Sequence, residues 1–331
     1  MKAFLGLDTS CYTTSAALCC LPGGAVDGLF FQERRLLAVA EGQRGLAQSE
    51  GVFQHVTRLP ELMEKLFAAH PEMEIGAVCA SAKPRPVQDS YMPVFRVGSG
   101  HGRVVAAALG VPFFETTHQQ GHIRAALVGT GTALEGKGLR PFLALHLSGG
   151  TTEVLRVEED ACACLGGTLD LHAGQLVDRI GVALGLPFPA GPHLEALAMH
   201  GREQARLTAS VKGLDCHFSG AEAQAMRLLE AGEPPENIAA EAFACVSRTV
   251  ARLVVAAGEK TGISDMLLFG GVASSMLLRE QVKERVGKRR REMRLCFGRP
   301  ELSGDNAVGV AMIGAEKYRA VEGERNGGTD Y

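Results

Sequence analysis

The chain has 331 residues, of which 46% are hydrophobic and 21% charged, with a formal net charge of −3. That length allows two domains or one large one, and the usage is that of an ordinary globular protein, not a disordered chain. No run of about eighteen apolar residues occurs, which excludes a helical membrane span, and the charge balance does not mark a nucleic-acid binder.

In chain order, "MKAFLGLDTS" carries one lysine and then alternates, so it is expected to be a first strand and not a secretory signal. "AFLGLDTSCYTTSAALCC" alternates into a Ser/Thr-rich turn and out again, predicting a β-hairpin with a polar tip. "HVTRLPELMEKLFAAH", His55 to His70, has helical apolar spacing, and "EIGAVCASA", Glu74 to Ala82, is a short buried strand. "KPRPVQDSYMP" is too proline-rich for regular structure. A glycine turn opening a helix ("GSGHGRVVAAALG") and a strand ("VPFFETTH") then lead to His118. "GTGTALEGKGLR", Gly129 to Arg140, is a candidate linker, and directly after it "PFLALHLSGGTTEVLRVEED" repeats the hairpin with a polar tip. A helix, a Pro/Gly loop and a helix follow in "LDLHAGQLVDRIGVALGLPFPAGPHLEALAMHG", and the chain is expected to stay largely helical to about residue 260. "DMLLFGGVASSMLLREQVKERV" predicts strand, Gly-Gly turn and helix; a last strand, a loop with Asp305 and a final helix follow. The tail "ERNGGTDY" is expected to be disordered.

The nine cysteines show no C-x-x-C spacing, so a reduced, cytoplasmic protein is expected, with Cys79 and Cys245 as small core residues. The basic cluster in "GKRRRE", Gly287 to Glu292, fits a solvated turn or a phosphate-backbone contact. Glycine is the outlier, 41 of 331 residues against an average of about 7%. It permits positive φ and close backbone approach, so its clusters mark places where a ligand could meet the main chain.

Two constellations carry chemistry. In "ETTHQQGHIRAALVG", His118 and His122 share a helix face, either as metal ligands or as solvated polar residues. Two ligands do not make a site. The two polar hairpin tips could present backbone N–H groups to phosphates, and the strand–Gly270–Gly271–helix unit could close over a base or ribose.

With "GLDTS" at Gly6, "HQQGH" at His118, "LSGGTTEVL" at Leu147, the long stretch from Gly166 to Pro192, "HFSG" at His217, "GGVASSMLLRE" at Gly270 and "GDNAVG" at Gly304, the chain resembles the TsaD family of tRNA threonylcarbamoyl transferases over nearly its whole length. The resemblance implies an α/β fold of two ribonuclease-H-like lobes, the actin, Hsp70 and sugar-kinase superfold, with a ligand cleft between them. It places one lobe at residues 1–135 with 300–325 returning to it, a second with a helical insertion at 136–299, and a flexible tail at 326–331. It supplies the missing third ligand: His118, His122 and Asp305 would hold one divalent metal, iron or zinc, since two imidazoles and one carboxylate leave open positions. It makes His146, Leu147, Ser148, Gly149 and Gly150 contacts to the nucleotide-linked substrate, gives Asp178 the ribose and makes Gly191 its partner. The implied ligand is an adenine nucleotide (threonylcarbamoyl-AMP, AMP or ATP). The implied reaction is transfer of the threonylcarbamoyl group to the exocyclic amine of a tRNA adenosine. The implied partners are TsaB-like and TsaE-like subunits and tRNA, in a homo- or heterodimer, with no membrane.

The departures cluster around the reacting end. The family's Asp-Glu pair, tied to activity, is Tyr12 and Thr13, leaving Asp8 as a possible catalytic carboxylate; Thr151 stands where a histidine is expected and Ser275 where an asparagine would contact the adenosine. Asp170–Leu171 replaces a double Asp, Gln175 a glutamate, and Glu222 a lysine. A second reading is therefore a non-catalytic or altered-substrate paralogue that binds a nucleotide and metal as a partner or regulator. A sugar or acetate kinase of the same superfold needs no HxxxH with a distant Asp. Peptidase activity is not expected, because HxxxH lacks the adjacent glutamate of HExxH.

Overall fold

The computed structural model describes residues 1–10, 12–20, 28–39, 46–128, 130, 141–158, 161–204 and 206–327. The elements run β1 (Lys2–Thr9), β2 (Thr13–Cys20), β3 (Leu29–Leu36), α1 (Gln48–Ala69), β4 (Glu74–Lys83), α2 (Phe95–Leu109), β5 (Phe113–Thr117) and α3 (His118–Leu127). After them come β6 (Phe142–Leu147), β7 (Thr152–Glu158), β8 (Ala161–Gly167), α4 (Ala173–Ala183), α5 (Gly191–Ala198), β9 (Ser210–Lys212), β10 (Asp215–His217), α6 (Ser219–Glu230) and α7 (Pro235–Thr261). The chain closes with β11 (Asp265–Phe269), α8 (Met276–Arg289), β12 (Arg294–Phe297) and α9 (Val308–Gly327). Two compact units result, Met1–Gly129 with Gly304–Tyr331, and Thr130–Ser303.

The two units repeat one sheet. In the first the order is β3-β2-β1-β4-β5, with β1, β2 and β3 antiparallel and β4 and β5 parallel to β1. In the second it is β8-β7-β6-β11-β12, again three antiparallel strands followed by two parallel ones. The hairpins anticipated at the start of each half are thus β1–β2 and β6–β7, each continued by a third strand that the alternation pattern did not isolate. Parallel neighbours need crossover helices on the sheet faces, so the central strands are buried on both sides: all eight residues of β2 and the four that open β6, Phe142 to Leu145, are buried. Leu5, Leu7, Leu18, Leu59 and Val78 centre the first core; Leu143, Leu145, Phe243, Val246 and Leu268 centre the second. Cys79 and Cys245 are buried core residues. No helix among the described residues is long and apolar enough to cross a membrane.

Several boundaries differ from expectation for local reasons. α1 starts at Gln48, well before His55, because Ala47 gives its N-terminus no side-chain cap and so no sequence signal. The expected glycine turn is part of α2: a Cβ on Gly102 would lie 2.8 Å from the Phe113 ring and one on Gly98 3.0 Å from Thr9 Oγ1, so these glycines serve close helix–sheet packing. The stretch expected to be largely helical also contains the β9–β10 ribbon, turning at Gly213 with φ 61°. The tail is helical to Gly327, and its last residues, 328–331, lie outside the described residues, as does the candidate linker save residue 130. The basic cluster spans the end of α8, where Lys288 pairs with Glu284 and Arg290 with Glu292.

Candidate functional site

β5 passes directly into α3, and the junction is set by a capping box. Thr117 Oγ1 accepts the Gln120 N–H at 3.2 Å, and Gln120 Oε1 accepts the Thr117 N–H at 3.1 Å. His118 is therefore the first helical residue, and His122 follows one turn later on the same face. α9 crosses this helix closely, at Gly309 of α9 and Gly121 of α3. A Cβ on Gly309 would fall 1.9 Å from the Gly121 carbonyl oxygen and 2.6 Å from the Ala125 nitrogen. On its other side α9 lies on β1, where a Cβ on Gly6 would fall 2.4 Å from the Ala311 nitrogen. Asn306 shapes the entry to α9: its Oδ1 accepts the Val308 N–H at 3.0 Å, and its Nδ2 donates to the Gly304 carbonyl at 2.8 Å. This packing carries Asp305 to the histidines.

The result is a three-residue cluster. His118 Nε2 and His122 Nε2 are 3.0 Å apart, and Asp305 Oδ1 is 3.1 Å from His122 Nε2 and 3.5 Å from His118 Nε2. The three side chains form a potential metal-ligand group with ligand atoms mutually within 4.8 Å. Ligands held about 2.0–2.2 Å from an ion at adjacent coordination positions lie about 3.0–3.5 Å apart, so both the donor set and the spacing fit a divalent cation. Burial opposes charge on His118, but the Asp8 and Asp305 carboxylates outweigh it and hold its pKa well above the ordinary imidazole value. Burial also opposes charge on Asp305, whose carboxyl is nevertheless held well below the usual range by hydrogen bonds and charge from His118 and His122.

Around the cluster, Asp8, fully buried, places Oδ1 and Oδ2 at 3.0 and 3.1 Å from His118 Nδ1 and accepts a hydrogen bond from Ser81 Oγ. Ser10 Oγ donates to Asp305 Oδ2 at 3.0 Å. Ser10 is held in turn by the buried His55, whose Nε2 is 2.8 Å from the Ser10 carbonyl and whose Nδ1 is 2.8 Å from Thr14 Oγ1. Burial lowers the His55 pKa. Of the pair replacing the family carboxylates, Tyr12 is exposed, its carbonyl accepting the Leu37 N–H, and Thr13 is buried in β2.

The second unit gathers the other predicted residues around loop ends. His146 stacks on Phe269 of the adjacent parallel strand at 4.5 Å. After Leu147 the chain turns tightly, the Ser148 N–H donating to the Thr151 carbonyl at 2.8 Å, and the Gly174 N–H at the start of α4 donates to the Ser148 carbonyl at 3.1 Å. A Cβ on Gly149, Gly150 or Gly271 would meet nothing within 4 Å, whereas one on Gly270, at φ 99°, would lie 2.4 Å from the Leu147 carbonyl oxygen. Gly270 is needed for the backbone; the others leave room for a ligand. Asp178 Oδ1 accepts the Ala190 N–H at 2.8 Å, fixing the start of α5 at Gly191. Ser275 is the N-cap of α8, its Oγ accepting the Leu278 N–H at 3.1 Å, and Glu195 from α5 accepts the neighbouring Leu277 N–H at 2.9 Å. Sequence reasoning did not single out Ser10, Ser81, His55 or Glu195. Ser10 follows β1 and Ser81 lies near the end of β4, both inside segments whose neighbours were noticed, and the others carry no local pattern.

Two sheets of this order, each three antiparallel strands followed by two parallel ones, define an α/β protein of the actin, Hsp70 and sugar-kinase superfold. A ROK family glucokinase from Streptomyces griseus, solved with glucose and AMPPNP, matches 95% of this chain and 99% of its own at TM-score 0.54 and 12% identity, a likeness of fold alone. At the level of sequence, the profile of TsaD, tRNA N6-adenosine threonylcarbamoyltransferase, matches residues 43–312. A tRNA N6-adenosine threonylcarbamoyltransferase from Aromatoleum aromaticum is 30% identical over 98% of this chain and 93% of its own length. Another from Methanopyrus kandleri is 31% identical over 82% and 76% respectively. The chain belongs to the TsaD family.

Proposed function

We propose that the protein transfers a threonylcarbamoyl group from threonylcarbamoyl-AMP to the exocyclic amine of a tRNA adenosine, with one divalent metal, iron or zinc, at His118, His122 and Asp305. The observation that carries this reading is the convergence of those three side chains in a chain of the TsaD family. When bound, the ion supplies Lewis acidity toward the carbamoyl oxygen. The protein's part is positioning and charge stabilisation. The turn from His146 through Leu147, Ser148, Gly149, Gly150 and Thr151 offers backbone N–H groups to the phosphate, Gly270 and Gly271 lie beside it, and Asp178, next to Gly191, accepts ribose hydroxyls. The amine nitrogen bonds to the carbamoyl carbon, the bond from that carbon to the phosphate oxygen breaks, and AMP leaves with the electron pair. The amine proton goes to the leaving phosphate or to solvent. An unpaired anticodon-loop adenosine can be splayed out for such attack. TsaB-like and TsaE-like subunits and tRNA are the partners, in the cytoplasm.

A second reading has specific support. Tyr12 and Thr13 bring no carboxylate to the first turn, and the Ser275 hydroxyl is engaged as a helix cap. A protein so altered would keep nucleotide and metal while serving as a partner or regulator. The deciding experiment gives the protein preformed threonylcarbamoyl-AMP and unmodified tRNA, with partner subunits and an active relative as control. Product that disappears in His118→Ala supports transfer. Absence of product beside a working control, with nucleotide and metal still bound, supports the second reading.

A further inference from the structure

The three converging ligands leave one buried carboxylate without a role. Asp8, at the C-terminal end of β1, has no exposed surface, so it cannot reach a substrate to act as acid or base. Isolating a carboxylate from water is costly unless charge and hydrogen bonds compensate, so its partners indicate its use. They are His118, through Nδ1 at 3.0 and 3.1 Å, and the Ser81 hydroxyl. The topology delivers all three together: β1 and β4 run parallel with Leu7 beside Ala80, so Asp8 and Ser81 lie side by side near the C-terminal ends of adjacent strands, and β5, next to β4, leads into His118.

We infer that Asp8 is a positioning residue for the metal centre: by binding the Nδ1 edge of His118 it turns Nε2 toward His122 and Asp305 and fixes that nitrogen as the ligand. This rests on the proposed metal reading. An imidazole can present either nitrogen, and the hydrogen bond made by one decides which is offered to an ion. The Ser81 hydroxyl holds Asp8 in turn. The same arrangement recurs on the opposite ligand, where Ser10 donates to Asp305 Oδ2 and Oδ1 alone faces the histidines. Asp305 is thereby set up as a one-oxygen ligand.

The test uses the full chain and Co²⁺ as the probe. Affinity is measured by chelator competition, coordination by the visible absorption of the Co²⁺ form, and folding by thermal unfolding of the metal-free protein. Asp8→Ala is expected to weaken Co²⁺ binding by about 10–100-fold and to change the absorption bands. Asp8→Asn, whose amide oxygen still accepts from Nδ1, should recover part of the loss, and Ser81→Ala should show a smaller loss in the same direction. Wild-type affinity and spectrum in Asp8→Ala would overturn the inference. So would a loss in Asp8→Ala that follows only its unfolded fraction while Ser81→Ala binds normally, because Asp8 would then be purely structural. If the wild type binds no Co²⁺ and His118→Ala is indistinguishable from it, the metal reading itself falls and takes the positioning role with it.

Discussion

Replacing Gly309 by alanine adds one methyl group where α9 crosses α3. Its carbon would stand 1.9 Å from the Gly121 carbonyl oxygen, 2.6 Å from the Ala125 nitrogen and 2.9 Å from the Gly121 carbonyl carbon. All three are backbone atoms, so no side chain can rotate away. Real Cβ atoms essentially never come under 3.0 Å, and the helices must part by about 1 Å, an overpacking that costs about 1–3 kcal/mol. Alanine's better helix propensity returns about 1 kcal/mol, leaving a net loss of up to about 2 kcal/mol by difference. The second effect is on the ligands, because Asp305 precedes α9 whereas both histidines ride on α3. Metal–ligand distances tolerate about 0.2 Å, so on the proposed metal reading a 1 Å parting should weaken metal binding by about tenfold or more. Gly323, in the same helix, has nothing within 4 Å of its Cβ position, and Gly323→Ala should be neutral or stabilising by up to about 1 kcal/mol. Urea unfolding and chelator competition on both variants measure the two effects. A Gly309→Ala protein as stable as wild type and fully metal-competent would refute the close-packing account.

Ser275→Ala removes the α8 N-cap and should cost about 1 kcal/mol, whereas Ser275→Asn, also a good cap, should stay within a few tenths by urea unfolding. Asp170 accepts hydrogen bonds from the Leu171, Phe218 and Ser219 N–H groups and the Ser219 hydroxyl. Burial works against its charge, but these bonds lower its pKa from 3.8 to about 2. Its contribution is therefore fully present above 3.8 and lost as pH falls through about 2; for this exposed group it amounts to about 1 kcal/mol after discounting for solvent. Asp170→Asn should flatten that part of the stability–pH curve, measured as urea midpoints between about pH 5 and 2. Gly270→Ala forces φ 99° on a residue with a Cβ that would lie 2.4 Å from the Leu147 oxygen. It should lose about 2 kcal/mol or more and weaken nucleotide binding, checked by unfolding and by calorimetric titration with AMP.

The periodic parts of the fold were legible because strands buried on one or both faces advertise themselves. β1–β2, β6–β7 and the β11–Gly270–Gly271–α8 unit were all visible as strings of apolar residues broken by polar or glycine tips. β3 and β8 were not, since an edge strand such as Leu29–Leu36, with Glu33, Arg34 and Arg35, needs no apolar alternation. Glycines mislead where they serve packing between elements: Gly98 and Gly102 have the spacing of a glycine turn but are helical, because the neighbours they make room for, Thr9 and Phe113, lie on other strands. The site divides the same way. His118 and His122 share a helical period and can be seen together, but Asp305 is 183 residues from His122 and only the resemblance joined them. Ser10, Ser81 and Glu195 act through contacts with no sequence period at all.

The crossing of α9 with β1 and α3 also has a temporal side. The unit that holds His118, His122 and Asp8 is closed by residues from Gly304 onward, after the whole of Thr130–Ser303. On a ribosome, which extends chains vector-wise from the N-terminus, the intervening unit emerges complete while the first still lacks a helix. Until α9 arrives, the backbone at Gly6 is uncovered on that face and the histidines have no Asp305. A nascent or prematurely terminated chain can therefore contain the whole of Thr130–Ser303 and still lack Asp305, so on the proposed metal reading a complete ligand set would form only in chains read past Asp305 and into α9.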